Sequence, residues 1–477
     1  MESTVDQHRA QVLDLSAKVK KFYDRDVKVR IFHGSTNSTR SQTFDPEKTL
    51  DTSSLDKILE IAESEDGPYA LLEPNVPMDV LVRETLKRTL IPPVVMEFPG
   101  ITVGGGIQGG AGESSSFKEG LFHECCLEYE MILGNGEIIK VSRHENPDLF
   151  WGTACSYGSL GVITLIKLRL IPASLYVRLH YIRTGSYRDA VDVLKREMRS
   201  SNDFVDGIIF SSDRGVVIVG ERTDVARGNI QRFSRARDQW FYLHAEKIAK
   251  EHEEFEETVP LEEYLFRYDR GGFWMASYAF NRWSIPFNRL TRFIFNPFLK
   301  TRQLYEMLHA TNTSQQCIVQ DISLPENKTI AFLDFVREKI GIYPLWLCPL
   351  RPEKYARLSP AYLHANMIIN VGVWGGTRPR HGHEALYALN REIEQQTEKL
   401  GGRKVLYAHT YYPKDEFWRI YDAEWYVALR KKFRASRIFS DIYEKVFVGG
   451  TYVPAVGSGL AKLFIRKIKQ RLASISR

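Results

Sequence analysis

The stretch Thr102-Val-Gly-Gly-Gly-Ile-Gln-Gly-Gly-Ala-Gly-Glu-Ser114 decides the reading of the whole chain, because six of its thirteen residues are glycine. So many positions without a Cβ predict neither an ordinary strand nor an ordinary helix. They let successive amides turn into one concavity and let a ligand approach the main chain closely, which suits a phosphate or pyrophosphate. The stretch follows an apolar run from Ile91 to Phe98 and leads into Ser114-Ser-Ser-Phe-Lys-Glu-Gly120. Strand, glycine loop and polar turn in that order depart from the GxGxxG fingerprint, which needs a long helix with an apolar face directly after the loop.

The chain has 477 residues, 43% of them hydrophobic, enough for two or three domains with real cores. Its 65 basic residues nearly balance 59 acidic ones, so bulk charge does not point to nucleic acid as a partner. Cys125, Cys126, Cys155, Cys317 and Cys348 form no CxxC pair and read as reduced thiols of a cytoplasmic compartment. His123 beside Cys125 and Cys126 reads as core or loop, and no metal site is expected. No apolar run reaches the roughly 18 residues of a membrane span. The opening Met-Glu-Ser-Thr-Val-Asp-Gln is acidic where a signal peptide would be basic and then apolar.

Outward from the glycine stretch, residues 5–24 have the apolar spacing of an amphipathic helix (Val12, Leu13, Leu15, Val19, Phe22), expected on the outside of the first domain. A strand from Val27 to Phe32 then enters His33-Gly34-Ser35-Thr36-Asn37, a hydroxyl-rich loop suited to phosphate oxygens. Tyr69–Leu72 reads as a strand and Met78–Leu90 as a helix. Gly134-Asn-Gly136 between apolar runs predicts a hairpin. A second glycine set, Gly158-Ser159-Leu160-Gly161-Val162, opens a strand to Leu170. The first 173 residues thus read as an α+β module with separate phosphate-type loops.

These motifs, taken in order with Gly120-Leu-Phe and Asp148-Leu-Phe-Trp151, resemble the flavoprotein superfamily of vanillyl-alcohol oxidase and p-cresol methylhydroxylase. A narrower likeness is to the delta-24 sterol reductases, called Diminuto in plants. It rests on Thr102-Val-Gly-Gly, Gly112-Glu-Ser-Ser-Ser116, Glu145-Asn146 and Gly158-Ser-Leu-Gly, and continues through Val319-Gln-Asp321, Tyr343-Pro-Leu-Trp-Leu-Cys-Pro349, Leu406-Tyr-Ala408 and Glu416-Phe-Trp418 to about Lys445. Function lies in the site rather than the fold, so a match that runs through the substrate region is the informative part.

The resemblance implies two α+β subdomains over 1–173 binding FAD between them, a substrate cap of α/β character over 174–400, and a segment 401–450 returning to both. It implies an oxidoreductase that uses NADPH to reduce a C=C bond in the aliphatic tail of a sterol-like lipid. An oxidase or double-bond isomerase of terpenoid metabolism is the alternative with the same cofactor, and a lipid-binding protein without activity the alternative of another class. The FAD residues implied are Gly34, Ser35, Thr36 and Asn37; Thr102, Val103, Gly104, Gly105, Gly106, Ile107, Gln108, Gly109, Gly110, Ala111, Gly112, Glu113 and Ser114; and Gly158, Ser159, Gly161 and Val162. Ser35 stands where many relatives attach flavin to a histidine, and no cysteine precedes Thr102, so FAD is expected to be noncovalent.

Relatives usually begin with a membrane-spanning segment, and this protein is expected to start after it. Asp321, in an apolar setting, and Tyr407 with His409, on a strand-like run Val405–Tyr412, are the candidates for proton delivery. His409 and Asn370 stand where an acid is expected from the sterol reductases. The aromatic, arginine-rich stretch 264–298 reads either as core or as the wall of a site for a flat apolar substrate. Finally, in the tail 451–477, Leu460, Leu463, Phe464, Ile468, Leu472 and Ile475 alternate with lysine and arginine at helical spacing. Such a helix either lies on an anionic membrane, peripheral on the endoplasmic reticulum, or docks on the protein's own body.

Overall fold

The structure is a computed structural model that describes residues 4–34, 38–40, 45–282, 284–311, 313–376 and 382–448. Ser35, Thr36, Asn37 and the tail 451–477 lie outside the described residues. Helices and strands combine in an α+β arrangement around two main sheets.

The first sheet has five antiparallel strands in the order Ile58–Ser64, Gly67–Leu72, Val162–Arg169, Cys126–Ile132, Ile138–Ser142. Its last two strands form the hairpin read from Gly134-Asn-Gly136, with Ile132 paired to Ile138. Gly134 is required there by packing, because a Cβ would lie 1.9 Å from the Arg434 carbonyl. The N-terminal helix Thr4–Asp24 buries Val12, Leu15 and Val19 against this module and donates from Ser16 Oγ to the Gly136 carbonyl at 2.6 Å. A parallel pair, Arg30–Phe32 with Thr49–Asp51, stands apart from the main sheet.

The second sheet has eight antiparallel strands, and Arg403–Lys404 closes one edge beside Ile318–Pro325. Period-two alternation divides its residues between two cores. Ile369, Val371 and Val373 of strand Ile368–Gly375 face helices including Tyr187–Glu197 and Thr329–Phe335, while Asn370 and Trp374 face the glycine module. On strand Ile318–Pro325, Ile318, Ile322 and Leu324 face the helices, and Val319 and Asp321 the other way.

Two local readings are corrected. The glycine stretch does form a helix, Val103–Gly109, capped by Thr102 Oγ1 accepting from Gly105 N at 3.2 Å. Its glycines serve packing as well as ligand approach: a Cβ on Gly104 would come within 2.7 Å of Pro74 Cβ, and one on Gly106 within 2.5 Å of the Met96 methyl. Residues 405–409 are turn rather than strand, because pairing with the sheet ends at Lys404. Tyr407 and His409 therefore share no strand face.

Candidate active site

A cavity of about 1220 Å³ separates the glycine module from the eight-stranded sheet, which stands where the sequence places the expected cap. That exceeds the roughly 300–1,000 Å³ of a pocket for one small ligand. Thr102, Gly104, Gly105, Gln108, Gly109, Gly110, Ala111 and Gly112 form one wall, joined by Gly158 and Val162. Asp321 and Tyr407 stand on the cap side with Asn370, Trp346 and Trp374.

Other predicted residues stand behind the wall. Gly34, Val103, Gly106, Ile107, Ser159 and Gly161 are not among the residues facing the cavity. Val103, Gly106 and Ile107 are the buried face of the glycine helix. Ser159 accepts from the Tyr426 hydroxyl at 2.7 Å, and a Cβ on Gly161 would meet the Ile132 carbonyl at 3.0 Å. Ser114 instead ties the loop to residues 264–267, and Glu113 braces the loop itself. Ser114 Oγ donates to Glu113 Oε2 at 2.6 Å and accepts from Arg267 Nη2 at 3.3 Å. The same guanidinium reaches Asp206 Oδ2 at 3.0 Å, with both side chains fully buried.

The cap wall centres on Asp321. Its Oδ1 accepts from Asn370 Nδ2 at 3.0 Å, and its Oδ2 from Trp374 Nε1 at 3.1 Å and from the Tyr407 hydroxyl at 2.5 Å. Gly372 pairs directly across from Asp321, and a Cβ there would meet the Trp374 ring at 2.6 Å, so glycine makes room for the indole to cross. Burial raises the Asp321 pKa, the three hydrogen bonds oppose it, and the result is about 6. His409 is held away from the cavity, and burial with repulsion from Arg40 and Lys404 lowers its pKa to about 3. The structure thus places His409 behind the wall as a neutral imidazole, apart from Asp321 and Tyr407.

Sequence reasoning missed three residues here. Glu97 lines the cavity at 7% exposure, and burial together with Glu113 pushes its carboxyl well above the ordinary range. Its Oε1 has no hydrogen-bond partner among the described residues. An acid near the end of the apolar run Ile91–Phe98 was the available signal. Arg40 Nη1 donates to the carbonyls of Leu406, Tyr407 and Ala408 at 2.8, 3.2 and 2.8 Å, fixing the turn that carries Tyr407. Lys445 donates to the carbonyls of Tyr157 and Gly158 at 3.0 and 2.9 Å.

FAD fits this protein on two observations. A Cβ on Gly109 would meet nothing within 4 Å, so the cavity is open where the glycine helix faces it. Arg30, Arg40 and Lys445 also converge on one part of the wall, all with lowered pKa values. Burial and then the repulsion of Arg30 and Arg430 bring Lys445 to about 7. Among the described residues one acid accompanies them there, Glu444, and it pairs with Lys28 at 3.3 Å. An anionic pyrophosphate would relieve this crowding of cations.

A family model described as "FAD binding domain" matches residues 10–142. The Delta(24)-sterol reductase of Mus musculus is 32% identical over 74% of this chain and 69% of its own length. The chain belongs to the delta(24)-sterol reductase family. It is an FAD-dependent oxidoreductase. The Caenorhabditis elegans Delta(24)-sterol reductase homolog dhcr-24 is 26% identical over 94% of this chain and 89% of its own length. The Arabidopsis thaliana Delta(24)-sterol reductase is 28% identical, over 83% and 76%. The matched shares are far larger than the first 173 residues, so the likeness is not confined to the glycine module.

Proposed function

We propose that this protein reduces a C=C bond in the aliphatic tail of a sterol or related isoprenoid lipid, with NADPH as electron donor. The observation that carries the reading is one continuous cavity, glycine-walled on one side and closed on the other by a sheet face whose Asp321 is bound by Tyr407 of the neighbouring turn. Thr102, Gly105, Gln108, Gly109 and Gly158 would hold FAD there, with Arg30, Arg40 and Lys445 near its phosphates. Bound FAD supplies transfer of a hydride, taken from the reduced nicotinamide, to one alkene carbon.

Proton delivery falls to the protein's own residues. Tyr407 Oη would give its proton to the second alkene carbon, and Asp321, once protonated, would return one to the tyrosinate and recover its own from solvent, so the product gains one hydride and one proton. The raised pKa of Asp321 lets it carry that proton close to neutral pH. Phe273, Leu304, Leu308, Val319 and Trp346 line the same cavity and would exclude water around an apolar substrate tail.

No helix among the described residues is long and apolar enough to cross a membrane. We place the protein in the cytoplasm, in peripheral contact with the endoplasmic reticulum through the tail 451–477, on the basic amphipathic spacing of that tail. Mass spectrometry of a sterol with an alkene in its tail, incubated with protein and NADPH, tests the reaction. A gain of two hydrogens is expected; unchanged mass with a moved double bond, or loss of two hydrogens with oxygen uptake, overturns it.

A further inference from the structure

We propose that the cap docks on an anionic lipid bilayer through Leu290, Phe293 and Ile294. The proposal rests on the reading of the cavity as a lipid site and names where such a substrate would enter. These three side chains lie on the helix Arg289–Phe295 at spacings of three and four, hence on one face, and are 66%, 52% and 56% exposed. A monomeric protein rarely leaves a group of large apolar residues together at its surface without a partner for them.

Charge identifies the partner. Residues 270–305 contain Arg270, Arg282, Arg289, Arg292, Lys300 and Arg302 and not one aspartate or glutamate. Arg270 is buried and Arg302 pairs with Asp79, while Arg289 and Arg292 belong to the same helix as the apolar face and Lys300 follows it in the chain. Arg292 lies over the Phe287 ring at 4.9 Å and is held beside that face. Apolar residues flanked by cations match the acyl and phosphate layers of an anionic bilayer. A symmetric pairing with a second copy would bring like charges together.

Position connects the face to the cavity. The preceding helix Ala276–Arg282 contributes Tyr278 and Ala279 to the cavity wall, and the following helix Thr301–Thr311 contributes Leu304 and Leu308. The exposed helix therefore joins two elements of the cap wall, and docking it would set the cavity beside the source of a water-insoluble substrate.

The test uses the full-length protein with phosphatidylcholine vesicles, with and without phosphatidylserine, followed by flotation and by hydrogen–deuterium exchange over residues 285–300. Flotation on the anionic vesicles, weakened by salt, with slowed exchange in that segment is expected. Absence of flotation overturns the proposal, as does flotation with unchanged exchange there, which would assign the contact to the tail. Slowing that appears without vesicles and grows with protein concentration would assign the face to a second copy and also overturns it. Combined Leu290→Ser, Phe293→Ser and Ile294→Ser, at exposed positions, should weaken vesicle partition about tenfold or more at unchanged melting temperature; unchanged partition contradicts the proposal. These readouts need neither flavin nor turnover, so they stand or fall separately from the reductase reading.

Discussion

The Tyr407 hydroxyl donates to Asp321 Oδ2 at 2.5 Å and joins a turn to a sheet strand 86 positions away. If this pair delivers the proton, Tyr407→Phe should lower kcat by about 10²- to 10⁴-fold, with the bound flavin spectrum unchanged. The acid must be protonated to act, so the rate should fall as pH rises through about 6, the raised pKa of Asp321. Asp321→Asn keeps an oxygen acceptor and should remove that limb of the profile. Full activity of Tyr407→Phe would displace the pair from this role.

Gly109 separates ligand approach from packing. A Cβ there meets no described residue beyond its own helix within 4 Å, whereas one on Gly104 would strike Pro74 at 2.7 Å. Gly109→Val should therefore fold with a near-native melting temperature and purify without flavin, as read from absorbance and calorimetry. Gly104→Ala should cost stability whether or not FAD is present. A Gly109→Val protein that retains full flavin would move the cofactor away from this helix.

If Lys445 stands beside the flavin phosphates, flavin affinity depends on pH. Burial and neighbouring arginines hold its pKa at about 7, and a bound anion would raise it. Affinity should therefore fall as pH rises from 7, because binding then requires uptake of a proton. Titration of the protein with FAD across that range measures the slope, and Lys445→Met should flatten it while weakening binding at pH 6.

The sequence made regular features legible and left long-range ones hidden. The turn at Asn135 and the alternating strand Val162–Arg169 are set by neighbouring residues, and they stand close to where local spacing puts them. The helix Val103–Gly109 went unread because its glycines are selected by contacts with Pro74 and Met96, neither of which is adjacent in sequence. Asp321 and Tyr407 could be singled out from the sequence. The turn at 405–409 could not, since it depends on Arg40 binding three carbonyls more than 360 residues ahead of it. Glu97 was likewise hidden, because its chemistry arises from burial beside Glu113.

His8 anchors the N-terminal helix through Nδ1, 2.7 Å from Glu73 Oε1, and Nε2, 3.5 Å from Glu130 Oε1. Burial alone would lower its pKa, but the hydrogen bonds and charges of Glu130 and Glu73 outweigh burial and raise it from 6.5 to about 9. A raised folded-state pKa stabilises fully below 6.5, and that contribution is lost as pH rises through about 9. Thermal melting should show this decline, and His8→Gln should lower stability at pH 6 and remove the slope. A pH-independent melting temperature from 6 to 9 would show that the ring is not charged in the folded protein.

The most direct measurement is an anaerobic titration of the purified protein with NADPH, following the visible flavin band. The account predicts a yellow protein whose band is bleached by about one equivalent of NADPH per flavin and restored by a sterol bearing an alkene in its tail. A yellow protein that NADPH leaves unbleached, reduced only by its own lipid substrate, would contradict the reductase assignment and place the chemistry in the direction of oxidation.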